Sequence, residues 1–341
     1  MGQDQSLAGR VAFITGAARG QGRSHAVELA RRGARILALD ICQDIDTVPY
    51  GLATADDLQQ TVAEVEAVGG EIVAVTGDVR EPADVAAAVD ACRERFGVPD
   101  IVVANAGINS QRGEEPDAQQ AFLDTIMVNL VGVWNTVHAI APLMIERGEG
   151  GSIVLISSTN GLSGRGGDGS GAATGYTASK HGVVGLMRSF MIWLAPHNIR
   201  INTIHPAGVL TAMVAHDEMA RWFANNPEGH TMGNALPVPM LEPIDISRAV
   251  LYLWRSRVVT SPASPCRWTP GSRRSSPAGR RWGDRRPEER MRGDVTGLTV
   301  SASDIPGEHP PGDARWALHS GDARRSIPRR TSSRTASTST W

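Results

Sequence analysis

Short apolar runs alternate with amphipathic stretches through most of the chain. The apolar runs have the length of strands that are buried on both faces of a sheet, and they cover residues 11–15, 35–40, 71–76, 100–104, 151–156 and 200–204. The other stretches carry apolar residues at helical spacing, and they predict helices over residues 26–33, 58–68, 83–95, 121–141, 182–194 and 246–253. This alternation predicts an α/β fold with a parallel, doubly wound sheet in a single domain.

Three glycines follow the first apolar run. Gly16, Gly20 and Gly22 lie between the first predicted strand and the helix after it. Glycine lets the backbone approach a phosphate closely, and the start of a helix offers free N–H groups and the positive end of its dipole. A strand, a glycine-rich turn and a helix in this order predict a dinucleotide-binding site.

An aspartate ends the second predicted strand. Asp40 lies about 20 residues beyond the glycine-rich turn, where a carboxylate binds the hydroxyl groups of an adenosine ribose. The same negative charge would repel a 2′-phosphate, so NAD is favoured over NADP. The alternative role for Asp40 is that of a helix cap or a loop acid.

Tyr176 and Lys180 are four residues apart, just before the helix predicted over residues 182–194. If the helix includes them, the phenol and the ammonium share one face and lie side by side. A nearby cation lowers the pKa of a phenol, which makes it a proton-transfer group for alcohol and carbonyl chemistry. Lys180 is the only lysine among 34 Lys and Arg residues. The alternative is a surface pair without a chemical role.

Other polar residues follow or interrupt the apolar stretches. Asp78 comes after the third strand, where it contacts adenine or closes a turn. Asn129 interrupts an apolar helical stretch, so it needs hydrogen-bond partners if it is buried. Two hydroxyl side chains, Ser157 and Ser158, follow the fifth strand.

The composition is that of a globular protein. The chain has 341 residues, of which 41% are hydrophobic, and a formal net charge of −2. Its 3 cysteines are widely spaced, which predicts neither a disulfide framework nor a metal site and favours a reducing compartment. The sequence has no signal-peptide pattern and no apolar run long enough to cross a bilayer. We therefore expect a cytoplasmic protein with no membrane partner.

Taken together, these residues resemble the short-chain dehydrogenase/reductase family over residues 7–253. The motifs that match, in the family's order, are TGxxxGxG from Thr15, Asp40, Asp78-Val79, Asn105-Ala106-Gly107, Asn129, Ser158 and YxxxK. The resemblance implies a Rossmann-type fold and an enzyme that oxidises or reduces at a CH–OH carbon with NAD.

The resemblance also implies a role for each matching residue. Tyr176 would be the general acid/base, and Lys180 would lower its pKa and bind the nicotinamide ribose. Ser158, which matches the family's second serine, would hydrogen-bond the substrate oxygen, and Asn129 would hold a water that relays protons. The implied cofactor-binding residues are Gly16, Arg19, Gly20, Gln21, Gly22, Asp40, Asp78, Val79, Asn105, Ala106, Gly107, Tyr176, Lys180, Pro206, Gly208, Val209 and Thr211.

Finer details are similar to the mycofactocin-associated, carveol dehydrogenase-like subgroup of that family. That resemblance implies a secondary alcohol as substrate, terpenoid in some cases, and an NAD held so tightly that an external redox carrier recycles it. Residues 41–57 are longer than a strand-to-helix connection needs, and we expect them to form a lid over the adenosine end; an ordinary surface loop with exchangeable NAD is the alternative. Arg165, the loop to Gly175 and residues 210–239 would shape the substrate pocket.

The family pattern stops after Leu253. Arginine, serine, proline and glycine then dominate, and the last strand of the family is missing. One legal encoding of residues 261–271, read from one base upstream, translates as VTGVTLPVDAG, which is similar to that strand. We therefore hypothesise a frameshift between residues 253 and 257. Residues 254–341 would be a mostly disordered, out-of-frame tail, and the sheet would lack an edge strand that supports the family's tetramer.

Two other functions compete with an NAD-dependent alcohol dehydrogenase. The first is a 3-oxoacyl-thioester reductase with exchangeable NADPH, against which Asp40 argues. The second is an inactive nucleotide-binding or non-folding product of the altered C-terminus. The arginines of the tail do not predict nucleic-acid binding, because the segment has no aromatic residues interleaved in a folded frame.

Overall fold

Seven parallel strands form one sheet in this computed structural model. The structure describes residues 4–111, 115–164, 167–225, 240–255 and 299–301. The strands are β1 (Val11–Thr15), β2 (Arg35–Asp40), β3 (Ile72–Thr76), β4 (Ile101–Ala104), β5 (Gly151–Ile156), β6 (Ile199–His205) and β7 (Thr299–Ser301). Their order across the sheet is β3-β2-β1-β4-β5-β6-β7. The predicted doubly wound, Rossmann-type fold is confirmed.

Helices cover both faces of the sheet. They are α1 (Gly20–Ala30), α2 (Ala55–Ala67), α3 (Pro82–Arg95), α4 (Ala118–Ile126), α5 (Gly132–Arg147), α6 (Gly171–Leu194), α7 (Asp217–Asn225) and α8 (Pro243–Arg255). Successive strand residues point to opposite faces. Phe13 therefore joins one buried cluster, while Ala12 and Ile14 join the cluster on the other face.

All of the described residues belong to one compact unit, which falls within Met1–Ile305. Most of the expected out-of-frame tail lies outside the described residues, so its predicted disorder stays a prediction.

The edge of the sheet differs from the expectation. The sequence predicts an empty position beside β6. Instead, β7 pairs in parallel with β6, with Thr299 opposite Thr203 and Ser301 opposite His205. An open sheet edge presents unpaired N–H and C=O groups that any short extended segment can pair with, and the β-branched Thr-Val pair at 299–300 favours that conformation.

The helices also differ from the predicted stretches, and α1 already begins at Gly20 instead of residue 26. α6 begins at Gly171, inside the stretch expected to be a loop up to Gly175, because Ser170 and Glu115 cap its free N–H groups. The stretch 121–141 is not one helix, because a π-helical turn, Met127–Val131, separates α4 from α5. Helix α7 was not predicted.

One helical stretch, Ala118–Arg147, is long and apolar enough to cross a membrane by length and composition. This corrects the expectation that no apolar run reaches that length. Half of its most apolar window (50%) is buried inside the fold, as in a helix that packs on the core of a sheet.

Candidate active site

The glycine-rich turn after β1 is packed against the end of β4. Gly16 has φ +65°, and a Cβ there would lie 2.7 Å from Ala106 Cα. A Cβ on Gly22 would lie 1.9 Å from the carbonyl oxygen of Gly16. Neither position tolerates a side chain, so the turn leaves a backbone cradle at the start of α1.

This cradle opens into a cleft at the carboxyl ends of the central strands. Most of the residues expected to bind a cofactor line it. They are Gly16, Arg19, Gly20, Gln21, Asp40, Asp78, Val79, Asn105, Ala106, Gly107 and Thr211. Gly22 instead supports the turn from beneath.

Asp40 lines the cleft with both carboxylate oxygens bound by backbone N–H groups. Its Oδ2 accepts a hydrogen bond from Ala18 N at 2.9 Å, and its Oδ1 accepts one from Cys42 N at 3.2 Å. Burial raises the pKa of Asp40, while these N–H groups and Arg19 oppose that shift. The two bonds fix the carboxylate at the end of β2. Both roles considered for Asp40, a ribose contact and a loop acid, require a carboxylate that is fixed in this way.

Asp78 binds Arg80, two residues further along the chain, and so closes a turn, which is the alternative to an adenine contact. Both of its carboxylate oxygens bind Arg80: Oδ1 accepts from the backbone N at 2.8 Å and Oδ2 from Nε at 2.7 Å. Asp78 therefore lines the cleft as part of an ion pair.

The end of β4 is tied to the end of β1. The Thr15 hydroxyl oxygen accepts hydrogen bonds from Asn105 N at 3.0 Å and Ala106 N at 3.1 Å. Asn105 Nδ2 donates to the carbonyl oxygens of Thr15 and Gly16. These bonds hold the floor of the cleft in place without any ligand.

The long connection between β2 and α2 closes one side of the cleft. Ile41, Ile45, Tyr50, Leu52 and Ala53 all line it. The connection is also held at several points, since Arg19 Nη2 donates to Gly51 O at 2.5 Å and Thr47 donates to Asp124 at 2.8 Å.

Tyr176 and Lys180 both lie on α6, as predicted. Lys180 is 4% exposed, and its Nζ lies 5.6 Å from the centre of the Tyr176 ring. Nζ donates to the Ile156 carbonyl oxygen at 2.9 Å. Burial lowers the pKa of Lys180 to about 8.

The pKa of Tyr176 departs from the expectation. Burial raises it, and the group that lowers it is Ser158, through a side-chain hydrogen bond, rather than Lys180. The reason is geometric, because the ammonium lies over the ring and points to the end of β5.

The two serines after β5 have separate contacts. Ser157 Oγ donates to the backbone carbonyl of Lys180 at 2.9 Å, which joins β5 to α6. Ser158 Oγ accepts from Asn160 N at 3.1 Å, and Ser158 lines the same pocket as Tyr176. Of the two serines, Ser158 is the one whose hydroxyl lowers the pKa of Tyr176 through a hydrogen bond.

Asn129 is fully buried within the π-helical turn. Its side chain forms a pair of hydrogen bonds with the backbone of Ile108, at 2.8 and 2.9 Å. A Cβ on Gly107 would lie 3.3 Å from Asn129 Oδ1 and 3.5 Å from Lys180 Nζ. Both side chains thus lie directly behind a residue that lines the cleft.

His205 supports the site, although it was not predicted. It is 1% exposed, its Nδ1 donates to the Ser158 carbonyl oxygen at 2.8 Å, and its Nε2 lies 2.9 Å from the Thr203 hydroxyl. Burial lowers the pKa of His205. The sequence could have indicated this role, because His205 directly follows the strand predicted over residues 200–204, and β6 lies next to β5 in the sheet.

A second pocket adjoins the cleft and contains Ser158 and Tyr176. Gln21, Thr211 and Met213 line both cavities. Pro206, Gly208 and Val209, which were expected to bind the cofactor, line this second pocket. Six residues from the stretch 210–239 line it: Thr211, Met213, Val214, Met219, Trp222 and Phe223. Arg165 and residues 226–239 lie outside the described residues.

A Rossmann-type sheet with a glycine cradle, next to a pocket that holds a hydrogen-bonded serine and tyrosine, defines a dinucleotide-dependent oxidoreductase. The chain belongs to the short-chain dehydrogenase family, whose model matches residues 10–221.

Three similar proteins illustrate the match. An uncharacterized oxidoreductase of Mycobacterium tuberculosis is 53% identical over 253 residues, covering 73% of this chain and 91% of the relative. The (−)-trans-carveol dehydrogenase of Rhodococcus erythropolis is 41% identical, covering 75% and 95%. The crystal structure of a carveol dehydrogenase from Mycobacterium avium in complex with NAD has a TM-score of 0.69 at 41% identity, covering 76% and 95%.

Proposed function

We propose that this chain is an NAD-dependent dehydrogenase that interconverts a secondary alcohol and a ketone. The observation that carries the proposal is that Ser158 and Tyr176 line one pocket, which adjoins the glycine-lined cleft. A substrate oxygen placed between these two hydroxyl groups would meet a hydrogen-bond donor and a proton-transfer group at once.

The residues of the cleft fit NAD. The turn at Gly16 and Gly22 has no room for side chains, and the start of α1 offers N–H groups for a pyrophosphate. Asp40 would accept hydrogen bonds from ribose hydroxyls and repel a 2′-phosphate. Bound NAD would supply the acceptor for the hydride that leaves the alcohol carbon.

The chain's own residues would handle the proton. In the oxidation direction, the Tyr176 phenolate takes the hydroxyl proton while Ser158 holds the substrate oxygen. Lys180, whose ammonium lies over the Tyr176 ring, would bind the nicotinamide ribose. Asn129 fixes the backbone of Ile108 behind the site, and we propose that it also orders the proton-relay water.

The substrate that we propose is a secondary alcohol on an apolar frame such as that of a terpenoid. The pocket around Tyr176 includes Met213, Val214, Met219, Trp222 and Phe223. Two of the similar proteins are called carveol dehydrogenases, which agrees with an apolar pocket of this kind.

We also propose that NAD stays bound between turnovers and is recycled by an external redox carrier such as mycofactocin. The support is the connection between β2 and α2, whose residues line the cleft and contact both of its sides. The lid that the sequence predicts would slow the release of the adenosine half.

Two further proposals concern the setting of the enzyme. Cys42 and Cys92 are free thiols, which agrees with a reducing, cytoplasmic compartment. Trp134 is 41% exposed beside Leu130, Val131 and Leu186, which supports self-association, and we propose a homo-tetramer. Light scattering on the purified chain tests the assembly.

The Tyr176→Phe variant tests the proposed reaction. Loss of the phenol should reduce NAD-dependent oxidation of secondary alcohols by at least about a hundredfold, within the range of a lost general acid/base. Tyr252, which is 49% exposed on α8, supplies the matched control, Tyr252→Phe, which should keep the wild-type rate. Equal rates in all three proteins would show that the mechanism is wrong.

A further inference from the structure

The pocket around Tyr176 has two chemically different walls. One wall is apolar and comes mainly from α7 and the segment before it. The other wall consists of side-chain carboxamides, which are Gln21, Asn109, Gln111 and Asn160. A purely apolar substrate would match the first wall but would leave the open hydrogen-bonding sites of Asn109 and Gln21 without partners, which carboxamide groups require when they are covered.

Three members of the amide wall are well buried. Asn109 is 8% exposed, and Gln111 and Asn160 are each 6% exposed. Asn109 Nδ2 donates to Gln111 Oε1 at 3.2 Å, and Asn109 Oδ1 accepts from Gln111 N at 3.1 Å. A carboxamide has two donor hydrogens and two acceptor lone pairs. The Asn109 side chain is therefore fixed in place and still has one donor and one acceptor site for a ligand.

Gln21 adds an unsatisfied atom at the junction of the two cavities. It lines both the cofactor cleft and the pocket around Tyr176. Its Oε1 is buried and has no hydrogen-bond partner among the described residues. A buried acceptor without a partner is destabilising, so a donor from a bound molecule would complete this wall.

The opposite wall is held rigid by one contact. Trp222 is 6% exposed, and its Nε1 donates to Asp168 Oδ2 at 2.9 Å. This bond ties α7 to the segment before α6, so the indole presents carbon surface to the pocket while its polar atom is satisfied elsewhere.

The reacting oxygen has a defined place between the walls. Ser158 and Tyr176 line the same pocket, and Asn160 N donates to Ser158 Oγ at 3.1 Å, so the amide wall begins two residues from Ser158. A substrate oriented by Ser158 and Tyr176 would thus extend between an amide face and an indole face.

We propose that the natural substrate carries a second oxygen function, a hydroxyl or a carbonyl, on its apolar frame, and that Asn109 binds this oxygen. The inference rests on the proposed function for the identity of the reacting oxygen. It adds that the enzyme selects oxygenated alcohols, such as ring diols and hydroxyketones, over the corresponding hydrocarbon alcohols.

Two ring alcohols of similar size test the inference by binding alone. Calorimetry on the full-length Tyr176→Phe chain loaded with NAD compares cyclohexane-1,4-diol with cyclohexanol. The diol should bind at least about tenfold more tightly, because a site with buried polar groups discriminates against a ligand that leaves them unpaired. Equal affinity for the two alcohols would overturn the inference.

A variant identifies the residue. Asn109→Leu removes the amide at similar volume, and in the Tyr176→Phe background it should reduce the preference for the diol to about one. Gln59→Leu, an exposed amide on α2 away from the pocket, should keep the preference. If Asn109→Leu keeps the full preference for the diol, Asn109 does not bind the second oxygen of the substrate. Absence of turnover of both alcohols by the wild-type chain would contradict the proposed function, while the binding ratio alone decides the inference.

Discussion

The Tyr50 ring packs on the His216 ring, with centroids 4.9 Å apart and planes tilted by 32°. Tyr50 belongs to the connection between β2 and α2, and His216 lies directly before α7. His216 Nδ1 accepts from Met219 N at 3.3 Å and so caps that helix. The Tyr50 hydroxyl oxygen also accepts from Asn109 N at 3.4 Å. Tyr50 therefore joins the connection that lines the cofactor cleft to helix α7, which lines the substrate pocket.

If this contact retains the cofactor, Tyr50→Ala should release NAD about tenfold faster or more. The change removes both the aromatic contact and the hydrogen bond to Asn109, which together are worth roughly 1–2 kcal/mol. Release is measured by the NAD that remains on the purified protein after extensive washing and by stopped-flow displacement. Tyr50→Phe, which keeps the ring, should give an intermediate rate. An unchanged rate in Tyr50→Ala would favour an ordinary surface loop.

The preference for NAD over NADP should depend on Asp40. Asp40→Asn keeps an oxygen for the Ala18 N–H group and removes the negative charge. Like charges placed together cost several kcal/mol, so the ratio of kcat/KM for NAD to that for NADP should fall by at least about tenfold. Steady-state assays with both cofactors measure the ratio. If the ratio stays the same, Asp40 has only a structural role in the loop.

The pH dependence should reflect the burial of Tyr176. Because burial raises its pKa, the phenolate needed for alcohol oxidation forms only at alkaline pH. The kcat/KM for oxidation should therefore rise with pH, and that for ketone reduction should fall. Ser158→Ala removes the hydrogen bond that lowers the pKa of Tyr176, so the oxidation profile should shift to higher pH. A profile shifted to lower pH would contradict this assignment.

The sequence predicted the parts of the site that depend on local order along the chain. The glycine cradle and Asp40 each follow a strand, so the parallel sheet brings them to one edge. Tyr176 and Lys180 are one helical turn apart, so their shared face was also predictable. None of these inferences required knowledge of which distant segments touch.

What the sequence could not predict depends on contacts between distant segments. Lys180 donates to Ile156 O, a contact between α6 and β5 that local order along the chain does not reveal. Tyr50 and His216 are in segments with no shared pattern. Helix α7 was missed although Met219 and Trp222, three residues apart, share its buried face.

The hypothesis of a frameshift predicts a change in stability. The test uses a chain in which VTGVTLPVDAG replaces residues 261–271 and a stop codon follows. This chain should unfold at a higher temperature than the present chain. In this structure β6 is paired over only three residues on that side, and a longer strand would pair more of its edge. Thermal unfolding compares the two chains, and resequencing of codons 253–257 tests the origin of the change. Equal midpoints would count against a missing strand.

Acid pH should destabilise the fold through His25. This side chain is fully buried between α1 and α8, where its Nδ1 lies 2.8 Å from Ser247 Oγ. Burial lowers the pKa of His25 to about 3, from 6.5. Between these two values the unfolded chain binds a proton that the folded chain does not, so the stability present above pH 6.5 is lost as the pH falls toward 3. The loss is at most about 1.4 kcal/mol per pH unit.

The His25→Asn variant isolates this contribution. Asparagine keeps a polar atom for Ser247 and does not titrate. As the pH decreases below 6.5, the free energy of unfolding of the variant should therefore fall less steeply than that of the wild-type chain. Urea unfolding at a series of pH values measures the slope. His138→Asn, which changes an exposed histidine on α5, should leave the slope as it is in the wild type. If His25→Asn and the wild-type chain have the same slope, His25 does not control the acid sensitivity of the fold.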